Sequence, residues 1–217
     1  MKSHLMVTII SMFCIQNSFS AVSIGGYLDI GQSSYYLSSN KIEVYLDSLF
    51  RYDKIQSGLN LNFGAKGNYR YNNYGLNLVL GFSEQYSRIT HKENINNIDI
   101  NTHSADFVFE CLYYFIEYQL NSVAISIGSG GEYKYRTEAI AFSGSNRLFS
   151  NENINRLRFP ISTGIYFIRE SSKVQFQYGL KYSICITDDF RESKSFYLSG
   201  YPYTISADFS ILYKIFG

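Results

Sequence analysis

From Gly58 to Thr90 the chain reads GLNLNFGAKGNYRY, then NN, then YGLNLVLGFSEQYSRIT, and its apolar and polar positions alternate with period two. Leu59, Leu61, Phe63, Ala65, Tyr69 and Tyr71 take the odd positions, while Asn60, Asn62, Lys66, Asn68 and Arg70 take the even ones. Successive side chains of a strand point to opposite faces, so one face is oily and the other carries amides and charges. Asn72-Asn73 suits a two-residue hairpin turn, because Asn tolerates positive φ. In the second arm Tyr74, Leu76, Leu78, Leu80 and Phe82 lie opposite Asn77, Gly81, Ser83 and Gln85, a change of parity that keeps both oily faces on one side of the sheet. Each arm exceeds the roughly 9–11 residues with which a tilted strand crosses a bilayer.

The same period recurs along the chain. A first strand over Val22–Tyr36 sets Val22, Ile24, Leu28 and Ile30 against Ser23, Gly25, Asp29 and Gly31. The polar connection over 38–57 holds Ile42, Tyr45, Leu46, Leu49 and Phe50 at helical spacing. Residues 40–53 are therefore open to a short loop helix or to extensions of the flanking strands. After a loop from His91 to His103, the strand Ser104–Leu120 is apolar on both faces, and Asp106 and Glu110 fix its parity, since acids are costly against lipid. That parity sends Phe107, Phe109, Cys111, Tyr113 and Phe115 outward, and Glu117 with them, near the membrane edge. Asn121-Ser122 predicts a tight turn, after which Val123, Ile125 and Ile127 face out and Ser126, Gly128, Gly130, Glu132 and Lys134 face in.

A loop over 138–154 precedes a sixth strand, where Leu157, Phe159, Ile161, Ile165 and Phe167 alternate with Arg158, Ser162 and Gly164. Pro160 lacks a donor and predicts a local bulge. Past a short turn at Arg169–Lys173, the alternation of Val174, Phe176, Tyr178, Leu180, Tyr182, Ile184 and Ile186 with Gln175, Gln177, Gly179, Lys181 and Ser183 makes a seventh strand. A loop over 188–202 leads to the last, with Ile205, Ala207, Phe209, Ile211, Tyr213 and Ile215 opposite Thr204, Ser206, Asp208, Ser210 and Lys214. Eight strands result, joined by connections of about 20, 2, 13, 2, 17, 5 and 15 residues, the long-short rhythm of a transmembrane barrel with short periplasmic turns and long extracellular loops. The fold class predicted is all-β, an eight-stranded antiparallel up-and-down transmembrane β-barrel; closure leaves no unpaired backbone in lipid.

Composition agrees. Aromatics are 18% of the chain, 21 Tyr and 17 Phe without Trp, and Tyr suits an interface between oil and water. The mean hydropathy of −0.12 argues against a helical membrane protein but not against a barrel, whose segments are half apolar. Lys2, the apolar run Leu5–Ile15 and the small residues of Ser18-Phe19-Ser20 before Ala21 read as a cleaved secretory signal over 1–20, leaving 21–217 as one barrel domain. Removing Lys2 leaves 18 basic side chains (19 − 1) against 18 acidic, with no basic patch for nucleic acid. By parity Cys111 faces lipid and Cys185 the interior, so no disulfide is expected between them.

Through the leading signal, the eight alternating segments and the closing strand ADFSILYKIF, the chain resembles small eight-stranded outer-membrane barrels of the OmpX and OmpA-like kind. In style it is closest to the outer membrane protein beta-barrel domain proteins of the PorT-like group. The resemblance implies residence in the outer membrane of a Gram-negative bacterium, contact with outer-membrane lipid, and recognition of the last strand by the barrel-assembly machinery through a terminal aromatic residue. Phe216 fits that part, though Gly217 follows it. The fold does not settle the function.

No GxSxG, HExxH or phosphate-loop motif occurs. His103 and Ser104 are adjacent, so a strand turns them to opposite faces, unlike the pair a lipid A deacylase needs. His91 and His103 read as solvated loop histidines, and neither a metal, a cofactor nor catalysis is expected. The inward parity collects Asp29, Glu110, Glu132 and Asp208 with Lys66, Arg70, Lys134, Arg158 and Lys181. Two readings stand for this set: paired charges filling a dry interior, or a narrow ion path gated by switching pairs. The loops carry Phe142, Leu148, Phe149, Phe190, Tyr197, Leu198 and Tyr201, either a surface-binding set or the aromatic rim where strands leave the membrane. Function follows as a structural or loop-mediated binding role without catalysis, with a narrow channel or secretion accessory as one alternative. A soluble lipocalin-like lipid carrier, with its apolar side inward, is the other.

Overall fold

A computed structural model gives the protein's structure. It describes residues 20–37, 52–91, 98–143, 146–149, 154–189 and 200–216. The signal expected over 1–20 lies outside these residues, apart from Ser20, as do loop positions 38–51. Eleven strands are present: β1 (Ser20–Leu37), β2 (Tyr52–Gln56), β3 (Gly58–Tyr71), β4 (Tyr74–His91), β5 (Ile98–Tyr118), β6 (Asn121–Ser143), β7 (Asn146–Phe149), β8 (Leu157–Arg158), β9 (Pro160–Glu170), β10 (Val174–Cys185) and β11 (Gly200–Phe216). Eight of them close a ring in the order β1-β3-β4-β5-β6-β9-β10-β11, and β11 pairs back onto β1. Every pairing is antiparallel. Followed by register from Asp29, the ring arrives at Lys134 one way and at Ala124 the other, a stagger of ten residues (134 − 124) that sets the tilt of the strands.

The alternation seen in the sequence becomes the two faces of the wall. Leu80, Phe82, Ile127, Ile165, Leu180 and Phe209 are exposed, whereas Lys66, Asn77, Glu110, Lys134 and Arg158 are at most 1% exposed. An exterior of large apolar side chains around a polar interior inverts the lipocalin arrangement and suits lipid. Along β4 the outward apolar residues end at Phe82, and Glu84, Tyr86 and Arg88 follow on the same face, so β4 and β5 continue beyond the lipid band. There β2 pairs with the end of β4, Gln56 opposite Arg88 and Ile55 opposite Ile89. For residues 52–56 the strand-extension alternative therefore holds. Cys111 is exposed and Cys185 buried, on opposite faces as parity predicts.

Three local expectations are corrected. The second short turn is Gln119-Leu120, not Asn121-Ser122: Gln119 takes the positive φ (52°) and Asn121 already pairs with Tyr118. Between Tyr114 and Ile116 the β5–β6 register shifts by one residue, a bulge that leaves Phe115 and Ile116 both exposed. Beyond it the parity is reversed, and Glu117 is turned from lipid to the lumen mouth, opposite inward Ser122. At Pro160 the ladder to β6 is interrupted without a bulge. Ile161 opposite Ser129 and Arg158 opposite Glu132 keep one register across the gap, and Ile186 N–H donates to the Phe159 carbonyl at 3.1 Å. Pro160 therefore costs a donor without displacing a side chain.

Candidate functional site

All nine lumen charges read from the sequence face the interior, and the structure sorts them into layers by distance from the short turns. Nearest those turns is a mouth cluster. Arg70 Nη1 donates to Glu170 Oε1 at 2.7 Å and its Nη2 to Glu117 Oε1 at 2.6 Å, while Lys214 Nζ donates to Glu170 Oε2 at 2.8 Å. The Arg70 guanidinium also stacks 4.0 Å from the centre of the buried Tyr114 ring.

The middle layer is held by inward positions of six strands. Lys181 Nζ lies 2.7 Å from Glu110 Oε1, and Lys66 Nζ lies 3.2 Å from Asp208 Oδ1 with Ser210 Oγ at the same distance. Asn68 donates to Asn77 (2.7 Å), and Asn77 in turn donates to Glu110 Oε2 (3.1 Å). Tyr166 fills the space between them. Its hydroxyl is 3.4 Å from both Glu110 oxygens, and Lys66 Nζ sits 4.8 Å from its ring centre. Small residues on the wall make room for it: a Cβ on Gly179 would come 2.8 Å from Tyr166 Cδ1.

Farthest from the turns, an outer layer is centred on Asp189, a residue the strand assignment leaves in a loop. Arg158 Nε donates to its Oδ1 at 2.6 Å and Arg158 Nη2 to its Oδ2 at 2.5 Å; Tyr35 OH donates to Oδ2 at 2.8 Å, and Lys134 Nζ pairs with Oδ1. Arg158 Nη1 reaches Gln85 Oε1 (2.5 Å) and Glu132 Oε1 (3.1 Å). Lys134, Arg158 and Asp189 are each at most 1% exposed. Such burial is tolerable for charges only when partners replace water. The signal for Asp189 is present in the sequence, since the odd inward parity of Gln175, Gln177, Gly179, Lys181, Ser183 and Cys185 continues through Thr187 to Asp189.

Between the middle and outer layers lies a cavity of about 70 Å³, whose lining includes Asp29, Asn60, Asp106, Glu132, Ser162 and Lys181. Asp106 contacts Ser83 Oγ at 3.4 Å. Asp29 Oδ1, Asn60 Nδ2, Gln85 Nε2 and Ser162 Oγ are buried without a hydrogen-bond partner.

The other candidates are not drawn into one place. Ser104 is buried and donates to Glu132 at 2.8 Å, while His103 is on the outer face with its ring 6.3 Å from that of Tyr135. No group of three or more His, Cys, Asp or Glu residues in metal-holding geometry occurs among the described residues. Of the loop aromatics, Phe142 lies in β6 and Leu148 and Phe149 in β7, with side chains outside the described set; Phe190, Tyr197 and Leu198 lie outside it altogether. Tyr201 is half-buried on β11 opposite Tyr36. Nearby, Tyr36 stacks on Tyr203 with ring centres 4.4 Å apart, and its hydroxyl meets that of Tyr182 at 3.4 Å, forming an exterior tyrosine cluster at the outer end of the barrel. Outside the lipid band, hydrogen bonds from Arg88 (Nε to Oδ1 2.5 Å, Nη2 to Oδ2 3.0 Å) hold the Asp99 carboxyl below its usual range.

No family model and no curated protein matches the sequence. Among solved structures, the chain is similar to Neisserial surface protein A (11% identity, TM-score 0.40, covering 89% of this chain and 99% of that one). It is similar also to the outer membrane protein OprG from Pseudomonas aeruginosa (10%, 0.42, 91% and 96%) and to the outer membrane protease OmpT from Escherichia coli (9%, 0.40, 90% and 96%).

Proposed function

We propose that this chain is an integral outer-membrane barrel whose lumen is a closed structural core and whose activity is binding by its long loops, without catalysis. The observation that carries this reading is the pair of charged layers across the lumen. Asp189 joins β6 and β8 through Lys134 and Arg158, and Lys181–Glu110 with Lys66–Asp208 joins β3, β5, β10 and β11 around Tyr166. The middle layer ties together strands that are not neighbours in the ring, and the outer layer does so through Tyr35 of β1 on Asp189 and Gln85 of β4 on Arg158. A solute path would have to open both, exposing charges in a poorly hydrated interior.

In this reading residues 1–20 are a secretory signal removed before assembly, the short turns face the periplasm, and β11 is the strand met by the barrel-assembly machinery. β1, β4, β6 and β10 end at the outer mouth, and the loops that follow them are the binding elements of this reading. The Tyr36–Tyr203–Tyr182 cluster is placed to anchor the outer rim in the headgroup region. Planar-bilayer recording on the refolded mature protein tests the closed lumen. The expected result is no steady conductance from the wild type or from Asp189→Ala, whose middle layer is intact, and openings in Asp189→Ala/Glu110→Ala, which breaks both layers; steady conductance in the wild type that is lost on Lys181→Ala or Glu110→Ala would replace this reading with that of a narrow channel.

A further inference from the structure

One stretch of the outer wall is not a uniform apolar surface. Over β5, β6, β9 and β10 the lipid face is hollowed into an apolar groove of about 1020 Å³. Branched aliphatic residues line it in one row set by register, Ile125 opposite Ile165 and Ile165 opposite Leu180. Aromatic pairs flank this row: Tyr74 and Tyr113 on the β5 side, with ring centres 5.5 Å apart, and Phe167 and Tyr178 on the β10 side, 4.9 Å apart.

Toward the short turns the groove runs out into a cation. The outward positions of β9 are Thr163, Ile165 and Phe167, all in the groove, and then Arg169. Arg169 is exposed, and its guanidinium has neither an ion-pair nor a hydrogen-bond partner among the described residues. Glu117 and Glu170, the acids at this end of the barrel, face the lumen mouth and are taken by Arg70 and Lys214. From Thr163 to Arg169 the strand covers about 20 Å at roughly 3.3 Å per residue, or about 15 Å of depth at a tilt near ~40°. That depth is one leaflet, half of a hydrocarbon core about 30 Å thick.

We propose that this face binds one anionic phospholipid, phosphatidylglycerol by class, from the leaflet next to the short turns, with an acyl chain in the groove and the phosphate on Arg169. An aliphatic row between aromatic pairs holds a flexible chain by many small dispersion contacts, and a guanidinium matches the geometry of a phosphate. No acid beside Arg169 is free to take an ammonium, so the charge of the site favours an anionic headgroup over a zwitterionic one. The site rests on the lipid-facing wall alone, and conductance through the lumen does not bear on it.

Native mass spectrometry of the refolded mature barrel, released from micelles that hold equal amounts of phosphatidylglycerol and phosphatidylcholine with the same acyl chains, tests the site. The wild type should retain one phosphatidylglycerol in preference to phosphatidylcholine. Arg169→Gln should lower that preference about fivefold, the factor set by one cation at an anionic lipid surface. Arg156→Gln, which removes an exposed cation at the other end of the barrel, should leave it unchanged. Ile165→Trp fills the groove and should weaken retention of both lipids. Folding of each variant is checked by its heat-dependent mobility in SDS gels. The inference is overturned by an absence of preference in the wild type, a measurement that needs no variant to fold. A preference unchanged in folded Arg169→Gln, or retention unchanged in folded Ile165→Trp, overturns it equally.

Discussion

Replacing Asp189 by alanine removes one side chain and strands two buried cations. Lys134 loses its carboxylate, and Arg158 loses the carboxylate on its Nε and Nη2 while keeping Tyr35 on Nη2 and Gln85 and Glu132 on Nη1. Breaking a buried pair on one side costs about 3–5 kcal/mol, because the remaining charge has neither water nor partner. With a urea slope of about 2 kcal/mol per molar, reversible unfolding in lipid vesicles should show a midpoint lowered by roughly 1.5–2.5 M. The exposed pair Arg136–Glu138 supplies the contrast: Glu138→Ala should cost about 0–1 kcal/mol. The double change Lys134→Met/Asp189→Leu removes the uncompensated lysine and should recover part of the loss. A midpoint for Asp189→Ala within about 0.5 M of the wild type, or no recovery in the double variant, would show that the outer layer is not a buried ion-pair core.

Other outcomes follow from the wall itself. Leu78 lies midway along the outward apolar run of β4, so Leu78→Arg should destabilise the folded barrel by about 2–4 kcal/mol, and Leu59→Arg near the outer rim by about 0–1, both read from unfolding in vesicles. A Cβ on Gly25 would fall 1.9 Å from the Ile211 carbonyl oxygen, whereas one on Gly131 meets nothing within 4 Å. Gly25→Ala should therefore cost about 1–3 kcal/mol by overpacking, while Gly131→Ala stays near wild type. For Asp99, whose folded carboxyl is lowered chiefly by the Arg88 hydrogen bonds, the pairing contributes fully above the unfolded value near about pH 3.9. It is lost as pH falls through the lowered folded value, so a carboxyl titration by NMR should give a midpoint below about 3.9 in the wild type and a normal one in Arg88→Gln.

Much of this architecture is legible because a barrel wall is read two residues at a time. Lys66, Arg158 and Lys181 are interior in the structure for the reason they are interior in the sequence: each shares parity with small or polar residues and glycines and opposes a run of Leu, Ile and Phe, while Glu110, on a strand apolar on both faces, itself marks the inner one. What alternation does not reveal is a residue added to one strand. Nothing in LYYFIEY marks Phe115 as a bulge, and everything after it changes sides, so Glu117 is read into lipid when it belongs with Arg70. Strand ends fail in another way. The polar run Thr187-Asp188-Asp189 looks like the start of a loop, yet its parity continues that of β10, and its last residue anchors the outer layer. Layering is hidden as well, since it depends on the stagger of the closed ring, which brings Lys66 of β3 to Asp208 of β11 over 142 positions of sequence. Asp106 shows the limit of counting charges: it sets the parity of β5 and has no ion-pair partner among the described residues.

The central claim is that the hairpin of β3 and β4, like the rest of the ring, turns its apolar face to lipid and its polar face to a closed interior. Nitroxide labels placed one at a time from Leu76 to Phe82, in a chain with Cys111 and Cys185 replaced by serine, measure this in vesicles through collision with lipid-soluble oxygen. Oxygen accessibility should oscillate with period two, high at Leu76, Leu78, Leu80 and Phe82 and low at Asn77, Val79 and Gly81. An oscillation of opposite phase, or none, would contradict the account.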